Sequence, residues 1–517
     1  MAGDARADLL SRAERELAAG RFAEAERDVA GALALDPRDP RALKLSAALL
    51  QRRGRIADAI AALRRAETQT PDDPLLLNSL GIALAASGDH GGATAMLWRA
   101  FALAPDNMAI AANLGKMLVD GGAIDEGAAT LRSALDRAPA MTHARFALAY
   151  AERVRGNLAE AESELRAILT RNAHDGDAWL ALSDLSVRAS DDDITTMQAA
   201  LADARVAGRS RIALRFALAR ALEDASRCDE AWQQFLEANR DVRRDEPWDA
   251  AADRRACENL MHAFDAAMTF APSDLGREIV FIVSLPRSGS TLVEQILASH
   301  ADVAAGGELG ALSLVLETES RKRGVAIEAW APQTTAEDWT RLGRDYLART
   351  ASLRAERPRS TDKRPGNWRY LGAIRRMLPG ARIVVCRRDP VETALGCFVR
   401  LFAPRTQRFS YDLDDIAAYW QSFDAAVNHV LARDGNALRE QHVETLVADP
   451  EAEIRALLDF CGLSFDPKCL RFGETDRAIR TQSAAQVRGG LRAGTLRAAC
   501  YRAHIDPLRR ALNASDG

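Results

Sequence analysis

The sequence is poor in several features that would place a chain in a special class. Lysine is scarce, with five residues among 69 basic ones, and 73 acidic residues bring the formal net charge to −4. This balance argues against a general affinity for nucleic acid polymers. The longest clearly apolar run, 279–285, is far shorter than the stretch of about 20 residues that crosses a bilayer, so no membrane span is expected.

Cysteine is also used sparingly. The seven cysteines form no CxxC pair and no zinc-ligand spacing, so we expect reduced thiols and no metal site. The first residues, MAGDARADLLSR, are charged and contain no apolar signal core, which predicts a cytoplasmic protein. The chain has 517 residues, of which 48% are hydrophobic, and this predicts a globular protein of several domains.

The first half of the chain contains a repeat of 34 residues. Glycine recurs at this interval, and proline and two columns of small residues keep the same spacing. The members are Gly20, Gly54, Gly88, Gly122 and Gly156; Pro37, Pro71, Pro105 and Pro139; Ala25, Ala59, Ala93, Gly127 and Ala161; and Ala32, Ala66, Ala100, Ala134 and Ile168. Small residues let two antiparallel helices approach closely, glycine ends the first helix, and proline closes the second.

A unit of this length and pattern resembles the tetratricopeptide repeat. Five units are clear between about residues 6 and 175, and degenerate helices follow. One helix pair cannot bury its apolar face alone, so the units are expected to stack into an α-helical solenoid. The resemblance implies a groove for a peptide or protein segment, and a rigid helical spacer without a ligand is the alternative. We predict three regions: a helical array (1–245), a connecting segment (246–277) and a second domain (278–517).

The second domain has an α/β pattern. Residues 278–285 and 382–387 are continuous apolar, β-branched runs, as expected of buried parallel strands. The helical stretches 292–300 and 389–402 follow them, and further helices are predicted at 413–432 and 450–461. Strands that alternate with helices predict a doubly wound parallel sheet.

The loop 286–291, PRSGST, joins the first strand to its helix and is the most informative stretch of the sequence. Backbone N–H groups at a helix N-terminus attract phosphate, and Gly289 allows a close approach of the ligand. The guanidinium of Arg287 can bind phosphate oxygens in a fork, and Ser288, Ser290 and Thr291 add hydroxyl groups. The loop lacks the first glycine and the lysine of GxxxxGK[ST], so a kinase or ATPase is not expected.

The strand, loop and helix together resemble the P-loop-like site by which sulfotransferases hold 3′-phosphoadenosine 5′-phosphosulfate (PAPS). The resemblance implies roles for residues that follow in order along the chain. Glu308 is similar to the catalytic base of the tyrosylprotein type, and Lys363 in TDKRPGN is similar to the family's catalytic lysine. Arg388 resembles the arginine that holds the 3′-phosphate, and Ser483 resembles the serine near the leaving group. A repeat array joined to this domain is similar to bacterial tetratricopeptide sulfotransferases.

Sulfuryl transfer needs these residue types. Negative charge grows on the bridging oxygen, where Lys363, Arg287 and the loop amides are the candidate stabilising groups. Glu308 would accept the proton of the acceptor hydroxyl. Because the donor is already activated, no metal is required.

The chain departs from the family at two places. Gly396 stands where relatives carry a serine eight residues after the 3′-phosphate arginine, and Thr393 would replace that hydroxyl only in part. Relatives also carry a basic-aromatic pair near the C-terminus, where this chain has Ala498 and Ala499. The candidates for compensation are Arg492, Arg497 and Arg502.

Structural alternatives exist for single residues. Glu308 could be a neighbour of a helix N-cap, and Lys363 could be an ordinary surface lysine. Arg388 could simply pair with Asp389, and Ser483 could have no role.

We therefore predict a sulfotransferase that moves the sulfuryl group of PAPS to an acceptor hydroxyl, more readily one of a peptide or protein than of a small alcohol, with tyrosine a candidate. A small molecule or polysaccharide acceptor is the first alternative. A scaffold protein with a degenerate sulfotransferase fold is the second.

Overall fold

The computed structural model describes residues 2–185, 187–265, 273–474 and 497–512. The chain divides into two compact units, Met1–Asn172 and Ala173–Gly517. The helices of the first unit follow one another in antiparallel pairs. They are α1 (Ala2–Ala18), α2 (Phe22–Leu35), α3 (Pro40–Arg52), α4 (Ile56–Glu67), α5 (Pro74–Ala86), α6 (His90–Leu103), α7 (Met108–Gly121), α8 (Ile124–Arg137), α9 (Thr142–Arg155) and α10 (Leu158–Arg171).

Each repeat glycine follows the first helix of its pair and has the left-handed backbone that the pattern predicts. Gly122, for example, has φ 102° at the end of α7. The small-residue columns lie at the helix contacts, and Ala25, Ala59 and Ala93 are fully buried. A Cβ on Gly127 would lie 2.6 Å from the carbonyl oxygen of Gly115, so α7 and α8 approach too closely for a side chain. The predicted helical solenoid is confirmed.

The second unit begins with helices and continues into a sheet. The helices are α11 (Gly176–Asp184), α12 (Asp191–Ala202), α13 (Gly208–Asp224), α14 (Cys228–Asp245) and α15 (Ala250–Asp265). The strands are β1 (Ile279–Ser284), β2 (Val303–Ala304), β3 (Arg359–Asp362), β4 (Arg382–Arg387) and β5 (Leu438–His442). Within the described ranges they form one sheet in the order β2-β3-β1-β4-β5. Every neighbouring pair is parallel, as predicted.

Further helices connect the strands or follow the last of them. They are α16 (Ser290–Ala298), α17 (Ala311–Arg323), α18 (Ile327–Trp330), α19 (Ala336–Arg349), α20 (Leu371–Met377), α21 (Pro390–Phe398), α22 (Leu413–Asp434), α23 (Val443–Ala448), α24 (Pro450–Phe460), α25 (Arg497–Cys500) and α26 (Asp506–Ala511). The helix predicted over 389–402 ends at Phe398, earlier than expected. One core layer lies between the sheet and helices α16 and α24, where Val280, Ile296 and Leu457 are fully buried.

The division of the chain falls before α11, whereas the predicted domain boundaries lie at residues 245 and 278. Helices α11 to α14 therefore belong to the same compact unit as the sheet. The predicted connecting segment contains α15, which packs against α22 through Cys257 and Leu260 on its buried face. The division of the chain into three regions stays a prediction.

The cysteines require a correction. Cys228 and Cys500 form a disulfide with their Cα atoms 5.7 Å apart. Their separation of 272 residues left no pattern in the sequence, because only the folded chain brings them together. The other five cysteines are buried free thiols, as expected. In the described part of the chain, no helix combines the length and apolar character that crossing a membrane requires.

Candidate functional site

The candidate site residues follow the carboxyl ends of parallel strands. Glu308 lies shortly after β2, Lys363 directly follows β3, Arg287 lies in the loop after β1, and Arg388 directly follows β4. Carboxyl ends of parallel strands meet at one edge of a sheet, and ligands bind where neighbouring connections diverge. Strand β1 has β3 on one side and β4 on the other, so the PRSGST loop lies at this point.

The loop has a backbone conformation that side chains seldom adopt. Arg287 has φ 70°, in the left-handed region, although it is not glycine. Strain of this kind is held by the surrounding structure and is concentrated at functional sites. Gly289 caps α16 with φ 84°, and a Cβ there would lie 2.4 Å from Cγ2 of Val443. The loop backbone is thus pressed closely against the chain that follows β5.

Several arginines surround the loop. Burial, together with the like charges of Arg497, Arg388 and Arg220, lowers the pKa of the Arg287 guanidinium to about 10. A cationic cluster of this kind is stabilised by an anion placed among its members. Arg497 contributes to the cluster from α25, and the sequence analysis named it only as one candidate for compensation.

The two adjacent arginines after β4 have different surroundings. Arg387 is held by Asp424 at 2.7 Å and also contacts Glu440. Arg388 lies 3.3 Å from Glu392, one turn along α21. Asp389 instead accepts a hydrogen bond from the backbone N–H of Glu392 and so caps the helix. The alternative in which Arg388 pairs with Asp389 is therefore wrong.

A cavity of 330 Å³ opens beside the loop, which is within the size range of small-molecule sites. Its lining combines hydroxyl, basic and aromatic groups. The lining residues are Leu285, Ser288, Cys386, Arg387, Arg388, Asp389, Pro390, Thr393, Trp420, Phe423, Asp424, His442 and Glu444. Thr393 is 1% exposed, and among the described residues its Oγ1 has no hydrogen-bond partner. The cavity therefore offers a buried hydroxyl to a ligand.

Gly396 lies close to Arg287. A Cβ on Gly396 would lie 3.1 Å from the Cβ of Arg287, which is tighter than ordinary contact. A side chain at position 396 would therefore require Arg287 to shift by a few tenths of an ångström. The absence of a side chain at this position fits the strained backbone of Arg287.

Glu308 and Lys363 meet directly. The Lys363 Nζ lies 2.7 Å from Oε1 of Glu308. The lysine side chain is 1% exposed, whereas the glutamate side chain is 56% exposed. Lys363 is thus not a surface lysine. The carboxylate of Glu308 contacts this lysine, and Glu308 itself precedes α17, which begins at Ala311. The lysine faces the interior and the carboxylate faces solvent.

Buried polar groups hold the chain that carries Glu308. Oε1 of Glu294 accepts hydrogen bonds from the backbone N–H of Gly307 at 2.9 Å and from the hydroxyl of Thr361 at 2.8 Å. The backbone N–H of Lys363 donates to the carbonyl of Gly307 at 2.8 Å. A Cβ on Gly306 would lie 2.1 Å from the carbonyl oxygen of Thr361, which explains the glycine there, and Gly307 has a left-handed backbone with φ 68°. Glu294 was missed, although a carboxylate in an apolar helix stretch was a usable signal.

Asp362, also missed, comes directly before Lys363. It is fully buried, and its carboxylate accepts hydrogen bonds from the Tyr346 hydroxyl at 2.9 Å and from Asn367 at 3.1 Å. Burial raises the pKa of Asp362 to about 7. Asp362 ends β3, and its hydrogen bonds hold the strand end from which Lys363 follows.

The raised pKa of Asp362 predicts a dependence of stability on pH. Between the ordinary aspartate pKa of about 3.9 and about 7, the folded protein binds more protons than the unfolded chain, so the free energy of unfolding falls as pH rises. Relative to Asp362→Asn, the wild-type protein should lose roughly 2 kcal/mol between pH 5 and pH 7. Denaturation followed by tryptophan fluorescence reports on the second unit, which holds seven of the eight tryptophans. Asp459→Asn, at an exposed aspartate, is the control and should show the same pH dependence as the wild type. The prediction is contradicted if the free energy of unfolding changes equally with pH in the wild type and in Asp362→Asn.

The remaining predictions concern Ser483 and metal binding. Ser483 lies outside the described residues, so its role stays a prediction. In the described ranges, no group of three or more His, Cys, Asp or Glu side chains is placed to hold a metal ion.

Comparison with known proteins gives matches for both halves. Residues 279–467 match the Sulfotransferase family. Residues 16–80, 78–142 and 114–178 match the tetratricopeptide repeat.

Curated relatives are distant. An uncharacterized protein of Aquifex aeolicus is 28% identical over 397 residues, which cover 74% of this chain and 51% of that protein. A putative protein-tyrosine sulfotransferase of Caenorhabditis briggsae is 24% identical over 229 residues, with 41% of this chain and 78% of that protein covered. Protein-tyrosine sulfotransferase A of Caenorhabditis elegans is 23% identical over 210 residues, with 37% and 51% covered. The chain thus spans about half the length of the Aquifex and C. elegans relatives.

Similar solved structures are repeat proteins. A thermophilic TPR protein of Thermus thermophilus is 22% identical with a TM-score of 0.32, and the match covers 35% of this chain and 98% of that chain. A tetratricopeptide repeat protein of Parabacteroides merdae is 14% identical with a TM-score of 0.35, covering 46% and 92%.

Proposed function

We propose that this chain, which joins tetratricopeptide repeats to a sulfotransferase-family domain, transfers the sulfuryl group of PAPS to the hydroxyl of a peptide or protein. The observation that carries the proposal is the contact between the exposed carboxylate of Glu308 and the buried ammonium of Lys363. Sulfuryl transfer needs a proton acceptor and a cation near the bound donor. Glu308, Lys363 and the PRSGST loop all follow the carboxyl ends of strands in the same sheet.

The residues present fit a nucleotide donor with two phosphate-type groups. The cationic cluster of Arg287, Arg388 and Arg497 favours anions, as the lowered pKa of Arg287 indicates. Thr393 lines the adjoining cavity, and its Oγ1, which has no partner among the described residues, would donate to a phosphate oxygen. Ser288, Ser290 and Thr291 belong to the loop at the start of α16 and would hold the 5′-phosphosulfate.

The donor supplies an activated sulfuryl group, whose bond to the bridging oxygen breaks as a bond to the acceptor oxygen forms. Lys363 and Arg287 would stabilise the negative charge that develops on the bridging oxygen. Glu308 would take the acceptor's proton, because its carboxylate is open to solvent on the side where an acceptor would enter. Lys363 is buried and Glu308 is exposed. In this proposal PAPS therefore binds on the buried side of the pair, and the acceptor hydroxyl approaches from the solvent side.

The repeats are the proposed binding surface for the acceptor chain. On α5, Leu75 is 52% exposed and Ile82 is 42% exposed, and their spacing of seven residues puts them on one helix face. Asn78 lies on the same face and accepts a hydrogen bond from Asn113 of α7 at 2.9 Å. Exposed apolar side chains beside amide groups suit an extended peptide. A tyrosine acceptor and a cytoplasmic location stay predictions.

The test uses the full-length protein with PAPS labelled in its sulfuryl group and a cell lysate as the source of acceptors. We expect label to appear on protein chains, and mass spectrometry of those chains to identify the modified residue. Calorimetry with adenosine 3′,5′-bisphosphate should show binding in the micromolar range, and adenosine 5′-monophosphate should bind more weakly because it lacks the 3′-phosphate. Silence in calorimetry up to millimolar ligand would overturn the proposal and favour a scaffold. Label confined to small molecules would overturn the peptide acceptor alone.

A further inference from the structure

The C-terminal stretch 497–512 is docked on the helices that precede the sheet. Tyr501 is fully buried and packs against Trp232 of α14 with ring centroids 5.1 Å apart. His504 stacks on the same tryptophan at 5.2 Å. Ile505 and Leu508 are also fully buried. The stretch therefore has an apolar anchor of its own on α14.

Arg497, at the start of this stretch, is held beside the cationic cluster. Its Nε donates to Oε1 of Glu223 on α13 at 2.7 Å. The next backbone N–H, that of Ala498, donates to Oε1 of Glu392 at 2.9 Å, and the other oxygen of Glu392 pairs with Arg388. Two carboxylates thus fix the position of Arg497 relative to Arg388.

The disulfide joins the same two elements covalently. Cys228 is the first residue of α14, and Cys500 is the last residue of α25, three residues after Arg497. Both cysteines are partly exposed, so a reductant can reach the bond. The sulfur–sulfur bond holds the end of α25 near α14 in addition to the apolar anchor and the two carboxylates.

We propose that Arg497 is a donor-binding residue and that the Cys228–Cys500 disulfide keeps it beside Arg388, so that reduction of this bond lowers donor affinity. The inference rests on the proposed function and deepens it. In the reduction, a dithiol gives two electrons and two protons to the sulfur–sulfur bond. The products are the Cys228 and Cys500 thiols and the oxidised dithiol. The reduced stretch keeps only its non-covalent contacts, so Arg497 samples positions away from the pocket.

The first test is calorimetric titration of the full-length protein with adenosine 3′,5′-bisphosphate before and after treatment with dithiothreitol. Reduction should weaken binding by about threefold or more, and Cys500→Ser should bind like the reduced wild type and no longer respond to dithiothreitol. Mass spectrometry of the unreduced protein should show the Cys228–Cys500 peptide pair, and its absence would overturn the proposal.

The second test does not depend on the disulfide. Arg497→Ala should weaken binding of adenosine 3′,5′-bisphosphate by about tenfold or more, because it removes one guanidinium group from the cationic cluster. Arg510→Ala, an exposed arginine of the same stretch, is the matched control and should bind like the wild type. Tight binding unaffected by reduction and by Arg497→Ala would overturn this inference and leave the proposed function intact. Absence of binding by every form, the oxidised wild type included, would overturn both.

Discussion

Lys363→Met should lower the rate of sulfuryl transfer by about a hundredfold to a thousandfold, because it removes the cation expected at the bridging oxygen. Methionine keeps the volume of a side chain that is 1% exposed, so the fold has little reason to change. The side chain of Glu308, whose carboxylate is left without this partner, is 56% exposed, so water can solvate it. Single-turnover transfer from labelled PAPS, at saturating donor and acceptor, measures the effect on the chemical step.

The matched control for this substitution is Lys322→Met. Lys322 is an exposed lysine near the end of α17, and its replacement should leave the rate unchanged. Circular dichroism and thermal unfolding of both variants check that the fold is retained. A rate for Lys363→Met close to that of the wild type would remove the lysine from the proposed chemistry.

Glu308→Gln should lower the transfer rate by about a hundredfold or more, because the amide has the shape of the carboxylate but cannot accept the acceptor's proton. Donor affinity should stay within about twofold of the wild type. The reason is that the Glu308 side chain is largely exposed, whereas the donor is proposed to bind on the buried side of Lys363. The measurements are label transfer and calorimetry with adenosine 3′,5′-bisphosphate on the same preparation.

Glu317→Gln is the control, since Glu317 is exposed on α17 and lies outside the proposed site. Loss of donor binding together with loss of transfer would show that Glu308 supports the pocket rather than the proton transfer. An unchanged transfer rate would refute its assignment as the base.

The repeats and the most apolar strands could be predicted from the sequence because their patterns are local. Glycine and proline at a fixed interval mark helix ends, and the apolar run of β1 has no other plausible place than a buried sheet. Strand β3 reads Arg-Ser-Thr-Asp, and its burial depends on hydrogen bonds between distant residues, such as that from Thr361 to Glu294. Such a strand has no apolar pattern and was missed, as were the two edge strands, β2 and β5.

The site was predicted mainly through resemblance, and its supports were not predicted at all. Glu308 and Lys363 are 55 residues apart, and spacing alone gave no reason to pair them. The contact of Arg497 with Glu223 spans 274 residues. Interactions of this range are determined by the packing of whole elements, so only the folded chain reveals them.

The order of the strands has a consequence for how the protein could diversify. Glu308 and Lys363 follow β2 and β3, on one side of β1, and Arg388 follows β4, on its other side. Substitutions at well-separated sites that share no partners usually have additive effects on free energy, so changes around the exposed Glu308 should have little effect on the cavity beside Arg388. Under the proposed function, selection could remodel the surface around Glu308 for a new acceptor while the cavity beside Arg388 is inherited unchanged.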